Sequence, residues 1–159
     1  GALASSGLGG ALAAACAGFA LFNKPPAKGF AGDVGALGAG AAYAGGALTM
    51  ADLGFTGSLW LAPMFVLVFL ADVLLTLLRR ARGGRLKLTA HAEHAYQRLI
   101  RSGWSHGRVA AIYGGLTLAI VLTGLVAAQG PEGSVPAAFA VWVLILFLLY
   151  RCVERIAPN

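Results

Sequence analysis

An all-α bundle that crosses a membrane several times is the fold this sequence predicts, on three observations. Of its 159 residues 58% are hydrophobic and only 11% charged, whereas soluble domains carry about 25% charged residues. Apolar runs close to the roughly 20 residues needed to cross a bilayer follow one another along the chain, and the mean hydropathy is +0.78. All 12 Lys and Arg fall in three stretches: Lys24 with Lys28, Arg79 to Arg108, and Arg151 with Arg155. The connections around Asp52 and Glu132 hold no basic residue. By the positive-inside rule the basic stretches are cytoplasmic. Nothing alternates as a barrel strand would, and a helix satisfies its own backbone in lipid. The net charge of +6 then fits loops beside anionic lipid or a phosphorylated substrate and gives no reason to invoke nucleic acid.

Five spans are expected, at 1–22, 34–50, 55–78, 109–128 and 136–152, with cytoplasmic loops at 23–33 and 79–108 and a cytoplasmic tail at 153–159. Gly1 is then outside and Asn159 inside. The first span stops at Asn23-Lys24-Pro25-Pro26, where two prolines forbid continuation. The second is short and glycine-rich, which suits close packing against neighbouring helices. The third is the most lipid-like, and Arg79-Arg80 closes it. Within the loop that follows, Thr89 is a suitable N-cap and Ser102-Gly103 a suitable stop. At about 100° per residue, His91, His94, Arg98 and Arg101 share an arc of about 80°, opposite Ala92, Ala95, Tyr96, Leu99 and Ile100. This predicts an amphipathic cytoplasmic helix with a cationic, imidazole-bearing face. Gln129-Gly130-Pro131 ends the fourth span, and the fifth reaches towards Arg155. Cys16 and Cys152, both in apolar spans, make no disulfide framework. The chain opens at Gly1 inside an apolar run, without a basic leader, and is read as the C-terminal half of a larger membrane domain.

Three groups carry candidate chemistry. In the loop from Asn23 to Gly35, Asp33 stands between glycines with Lys28 nearby. One carboxylate there suits Mg²⁺ whose other positions are filled by phosphate oxygens and water. The same residues also suit an interfacial turn with a capping aspartate and a snorkelling lysine. His91 and His94 are too few for a lasting metal site on their own. With Arg98 they form a face that grips phosphate or lies on anionic lipid. Asp72 lies two turns before Arg79. A carboxylate at depth costs about 2.5 to 3.5 kcal/mol, so it must face protein or a water-filled cleft, paired with a Lys or Arg or serving a ligand. His106 reads as part of a polar helix entry, and Trp60, Trp104 and Trp142 as anchors or packing.

Asn23-x-Pro-Pro-Ala-Lys-x-Phe-x-Gly-Asp-Val-Gly resembles the signature loop of the polyprenyl-phosphate sugar-1-phosphate transferases, also grouped as glycosyltransferase family 4. His91-Ala-Glu-His94-Ala-Tyr96-Gln97-Arg98-Leu, followed by Gly103-Trp104-Ser105-His106, resembles the histidine loop of the branch that initiates O-antigen chains. The pairing covers nearly the whole chain. It implies transfer of a sugar-1-phosphate, of N-acetylhexosamine type, from a UDP-sugar to polyprenyl (undecaprenyl) phosphate in cell-envelope synthesis. The resemblance also implies Mg²⁺, with Mn²⁺ as an alternative, held by Asp33. His91 and His94 would contact the nucleotide-sugar phosphates, with Asn23, Lys28, Arg98 and Asp72 as further substrate-binding candidates. Localisation would be the bacterial inner membrane with a cytoplasmic active face, and a homodimer is admitted. Ala36 and Ala31 depart from the family's usual Ser and Met or Leu. The family's earlier Asp-Asp pair and Asn/Asp-Gly loop would precede Gly1, so residues 1–159 alone are expected to be inactive. Two other readings stay open. One is a transporter fragment with an ion or proton path through Asp72 and the histidines. The other is a non-enzymatic membrane subunit whose basic loop binds acidic lipid.

Overall fold

A computed structural model describes residues 2–23, 28–55, 57–82 and 94–157. Among them there is no strand, and the helices in chain order are α1 (Ala2–Phe22), α2 (Gly32–Asp52), α3 (Ser58–Phe65), α4 (Leu67–Arg82), α5 (Ala95–Arg101), α6 (His106–Ala127) and α7 (Ser134–Ile156). The chain divides into two units, Gly1–Ser58 and Leu59–Asn159.

In the first unit α1 and α2 pack on each other. The carbonyls at the end of α1 are satisfied by the turn that follows: Asn23 N–H donates to Phe19 O at 3.0 Å and Lys28 N–H to Phe22 O at 2.9 Å. The second helix runs two residues beyond the expected span 34–50 at each end. Among its described residues none is buried. Thr49 returns its hydroxyl to Gly45 O at 2.8 Å, which hides a polar group in an apolar helix.

The second unit is built on α4, α6 and α7, which pack on one another, with α5 laid against α6 and α7. Its core is Leu61, Met64, Val68, Ile120 and Leu146. The third apolar segment is not one rod: α3 and α4 are bent by 74° at Val66, three residues after Pro63. Pro63 has no N–H to donate to the preceding turn. Trp60 packs on Phe139 with ring centroids 5.3 Å apart, fixing α3 against α7. Ser105 caps α6, accepting Arg108 N–H at 3.3 Å. The exposed faces carry large apolar side chains, among them Leu118, Leu122 and Val126 on α6 and Val141, Leu144 and Leu148 on α7, as helices in lipid do and soluble monomers rarely do.

Among the described residues three helices, α2, α6 and α7, are long and apolar enough to cross a membrane, and α3 with α4 makes a fourth if the bent pair counts as one span. The expected first span at 1–22 coincides with helix α1, whose described apolar part is Gly9–Phe22. The loop helix begins at Ala95, because His94 has extended backbone angles (φ −61°, ψ 150°). It stops where the sequence predicts. Gly103 takes φ +92°, Gly103 N–H donates to Ile100 O and Trp104 N–H to Leu99 O, the pattern that a left-handed glycine allows. Thr89 and His91, the expected beginning of this helix, lie outside the described residues.

Candidate functional site

Asp33 occupies the first turn of α2 and is exposed, as are Asn23 and Lys28. Two glycines around it have a stereochemical reason. Gly32 sits at φ +59°, where a side chain is strained. A Cβ on Gly35 would come within 2.9 Å of Ala31 Cβ. The turn therefore holds the carboxylate out at the helix N-terminus, where negative charge is favoured, without using it as a cap: the N-cap position is Ala31 and no side chain caps this end. That corrects the capping reading of Asp33. Among the described residues there is no group of three or more His, Cys, Asp or Glu. A lone exposed carboxylate fits a Mg²⁺ ion that draws its other ligands from phosphate and water, and it does not fit a cation held by protein alone.

The polar centre of the second unit is Asp72. Its carboxylate is buried, 7% exposed. Oδ1 accepts Ala95 N–H at 2.8 Å and the Thr76 hydroxyl at 3.3 Å. Oδ2 accepts the Tyr113 hydroxyl at 2.9 Å. Thr76 in turn lies 3.2 Å from the Tyr150 hydroxyl. One carboxylate thus links α4, α5, α6 and α7. Asp72 faces protein, as expected of a carboxylate at depth, but in place of a Lys or Arg its hydrogen-bond donors are a helix N-terminus and two hydroxyls. His94 joins this group with Nδ1 3.7 Å from Asp72 Oδ1, and its ring stacks on Tyr96 at 16° and 6.0 Å. Gln97 fixes the histidine backbone by accepting His94 N–H at 3.2 Å.

The cationic helix face does not form as expected. Arg98 is buried, 3% exposed, because it lies on the side of α5 that packs with Ala95 and Leu99. Its guanidinium donates to Ala157 O from Nε at 2.9 Å and to Glu154 O from Nη2 at 3.5 Å. Those carbonyls end α7, where partial negative charge collects. Arg98 is thus engaged with the last helix, which corrects its placement on an exposed face. The structure brings Asp72 and His94 together and keeps Asn23, Lys28 and Asp33 in the other unit, while His91 lies outside the described residues.

Tyr113, Thr76 and Gln97 were missed. Thr76 follows Asp72 by four residues, the spacing of helix neighbours, and Gln97 follows His94 by three, the spacing of a reciprocal cap; both signals were present. Tyr113 sits alone in an apolar span and offers no such signal. Beside Asp72 an apolar cavity of about 260 Å³ opens between the helices, lined by Val68, Leu75, Leu99, Leu116, Leu146 and Ile156 among others.

The family model described as Glycosyl transferase family 4 matches residues 3–51, which include Asp33 and both of its glycines. Among relatives, the phospho-N-acetylmuramoyl-pentapeptide-transferase of Synechococcus sp. is 35% identical over 133 residues, covering 77% of this chain and 34% of the relative. The putative enzyme of the same name from Methanothermobacter thermautotrophicus is 33% identical over 115 residues, covering 72% and 30%. The decaprenyl-phosphate N-acetylglucosaminephosphotransferase of Mycolicibacterium smegmatis is 36% identical over 109 residues, covering 61% and 27%. The chain spans about a third of the length of the curated relatives it matches. No solved structure gives a significant match.

Proposed function

We propose that the protein containing these residues transfers an N-acetylhexosamine-1-phosphate, or a close analogue, from a UDP-sugar to polyprenyl phosphate at the cytoplasmic face of a bacterial inner membrane. The observation that carries the reading is the match of residues 3–51, with Asp33 held out between glycines, to the Glycosyl transferase family 4 model. The relatives' names, a phospho-sugar transferase acting on decaprenyl phosphate among them, support the same class. The histidine loop favours the branch that starts O-antigen-type glycans.

In this reaction a phosphate oxygen of the lipid attacks the sugar-bearing phosphorus of the UDP-sugar. The bond from that phosphorus to the bridging oxygen breaks, UMP leaves, and a polyprenyl diphosphate sugar remains. Phosphoryl transfer asks a protein mainly for positioning and charge neutralisation. Asp33 would hold Mg²⁺, or Mn²⁺, which supplies positive charge to the diphosphate. Lys28 and Asn23, exposed in the same turn, are placed to contact phosphate oxygens, and His94, with His91, would donate to the nucleotide-sugar phosphates. The apolar cavity beside Asp72 suits the isoprenoid units nearest the acceptor phosphate. A homodimer is compatible with the exposed apolar faces.

The test is transfer of labelled sugar phosphate to undecaprenyl phosphate by the complete protein in detergent or vesicles, with Mg²⁺. Asp33→Asn is expected to lower turnover by about 100-fold or more, as loss of one electrostatic stabiliser does, while membrane insertion is retained. Residues 1–159 alone serve as the control and are expected to turn over nothing. Normal activity in Asp33→Asn would remove the metal role from this residue.

A further inference from the structure

We propose that the cleft between α4 and α7 is a headgroup site for an anionic phospholipid, whose phosphate is held by Arg79, Arg82 and Arg151. This site is separate from the transfer reaction proposed above and does not depend on it.

The cleft has a volume of about 100 Å³. Arg79 and Arg82 enter it from the last turn of α4, and Arg151, 55% exposed, from α7. Among the described residues Glu154 is the one carboxylate in its lining, with Oε2 3.5 Å from Arg151 Nη1. Three guanidinium groups against one carboxylate leave the space with an excess of positive charge. Helix C-termini collect partial negative charge, which offsets part of that excess. At α7, however, the carbonyls of Glu154 and Ala157 are taken by Arg98 from inside the bundle. The cleft therefore still favours an anion, and guanidinium forks suit phosphate oxygens.

The apolar part of the lining says what carries the phosphate. Leu75, Leu78 and Phe147 complete the walls, and a free phosphate gains nothing from them. Leu78 and Phe147 are exposed, as are Leu74 on α4 and Leu144 on α7, one turn further from the arginines. An apolar strip thus leads away from the basic end along both helices, the course of an acyl chain below its headgroup. Depth agrees with this. From Ser134, where α7 begins, Arg151 is about 26 Å along the helix axis, close to the hydrocarbon thickness of about 30 Å. Basic pockets between spans at headgroup depth bind acidic lipid.

The test uses the complete protein, stripped of lipid in detergent. It is titrated with phosphatidylglycerol or with phosphatidylcholine of the same chains, and bound lipid is counted by native mass spectrometry. The wild type is expected to prefer phosphatidylglycerol by about fivefold or more. Equal affinities overturn the proposal without any variant having to fold. Arg82→Gln and Arg151→Gln are each expected to weaken phosphatidylglycerol binding about fivefold, the ratio for one arginine beside an anionic surface. Glu154→Gln is expected to strengthen it, a gain that a misfolded variant cannot give. Arg155→Gln removes the same charge from the same helix outside the cleft and should leave binding nearly unchanged. Equal losses in Arg155→Gln and Arg151→Gln would mean diffuse attraction to the basic end, and the site would fall. Two competitors identify the source of the phosphate. Millimolar inorganic phosphate should leave phosphatidylglycerol bound; displacement would make this a soluble-anion site. Undecaprenyl phosphate that displaces phosphatidylglycerol at equal concentration would make it a site for the acceptor lipid, and the assignment to phospholipid would be overturned.

Discussion

The guanidinium of Arg98 lies against the carboxyl end of α7, bonded to Ala157 O and Glu154 O, and charge-assisted bonds of this kind contribute about 1.5 to 3 kcal/mol. Arg98→Ala is therefore expected to destabilise the protein by an amount in that range, read as a lower Tm in detergent, with KM for the UDP-sugar nearly unchanged. A phosphate-binding arginine would give the reverse, a raised KM at unchanged Tm. Arg98→Lys should not restore the wild type, because an ammonium cannot reproduce the planar fork at those carbonyls. At this scale the sequence was legible where chemistry depends on neighbours along the chain. Gly32 and Gly35 mark the Asp33 turn, the first for its positive φ and the second because a Cβ there would meet the Ala31 side chain. It was not legible where the partner is remote. Arg98 reads as a surface residue from periodicity, but its acceptors lie nearly sixty positions away, and Tyr113 reaches Asp72 from another helix altogether.

The helices show the same division between local and remote causes. Ser102-Gly103 as a stop is where side-chain chemistry puts it, while Ser105 caps a helix that begins at His106, ahead of the span expected from 109. The break at Val66 has one local signal, Pro63, in an apolar run that otherwise has length and composition for one span, and the bend accommodates α3 against α6 and α7. That accommodation depends on Gly124. A Cβ there would lie 3.1 Å from Leu61 Cδ2 and 3.3 Å from Met64 Cε, so α6 approaches α3 closely at this point. Gly124→Ala sets that crowding, relieved by movement of two flexible chain ends, against a helix-propensity gain of about 1 kcal/mol, and is expected to be near neutral. Gly124→Val adds two further methyls with no room for them and is expected to cost about 1 to 3 kcal/mol. Thermal unfolding of both variants in the same detergent checks the pair; equal Tm values for Val and Gly would mean that α3 does not pack on α6 as described.

Within the second unit the basic residues gather at one end of the bundle. Arg79, Arg80 and Arg82 close α4, Arg79, Arg82 and Arg151 line one small cleft with Glu154, and Arg108 covers the Trp104 ring at 4.0 Å where α6 begins. The opposite end, the turn between α6 and α7, carries Glu132 and no Lys or Arg. By the positive-inside rule the orientation expected under the proposed function keeps the arginines from crossing the bilayer and puts the α5 end and His94 in the cytoplasm. The orientation can be tested after Cys16 and Cys152, both exposed, are replaced by Ser in the complete protein. A single cysteine at Glu132 is then expected to react with a membrane-impermeant maleimide in cells whose inner membrane is intact. A single cysteine at Ser102 should react only after that membrane is opened. The reverse pattern would place His94 and Asp72 on the outer side, away from any cytoplasmic nucleotide sugar, and the proposed reaction would lose its donor even if every contact around Asp72 were correct.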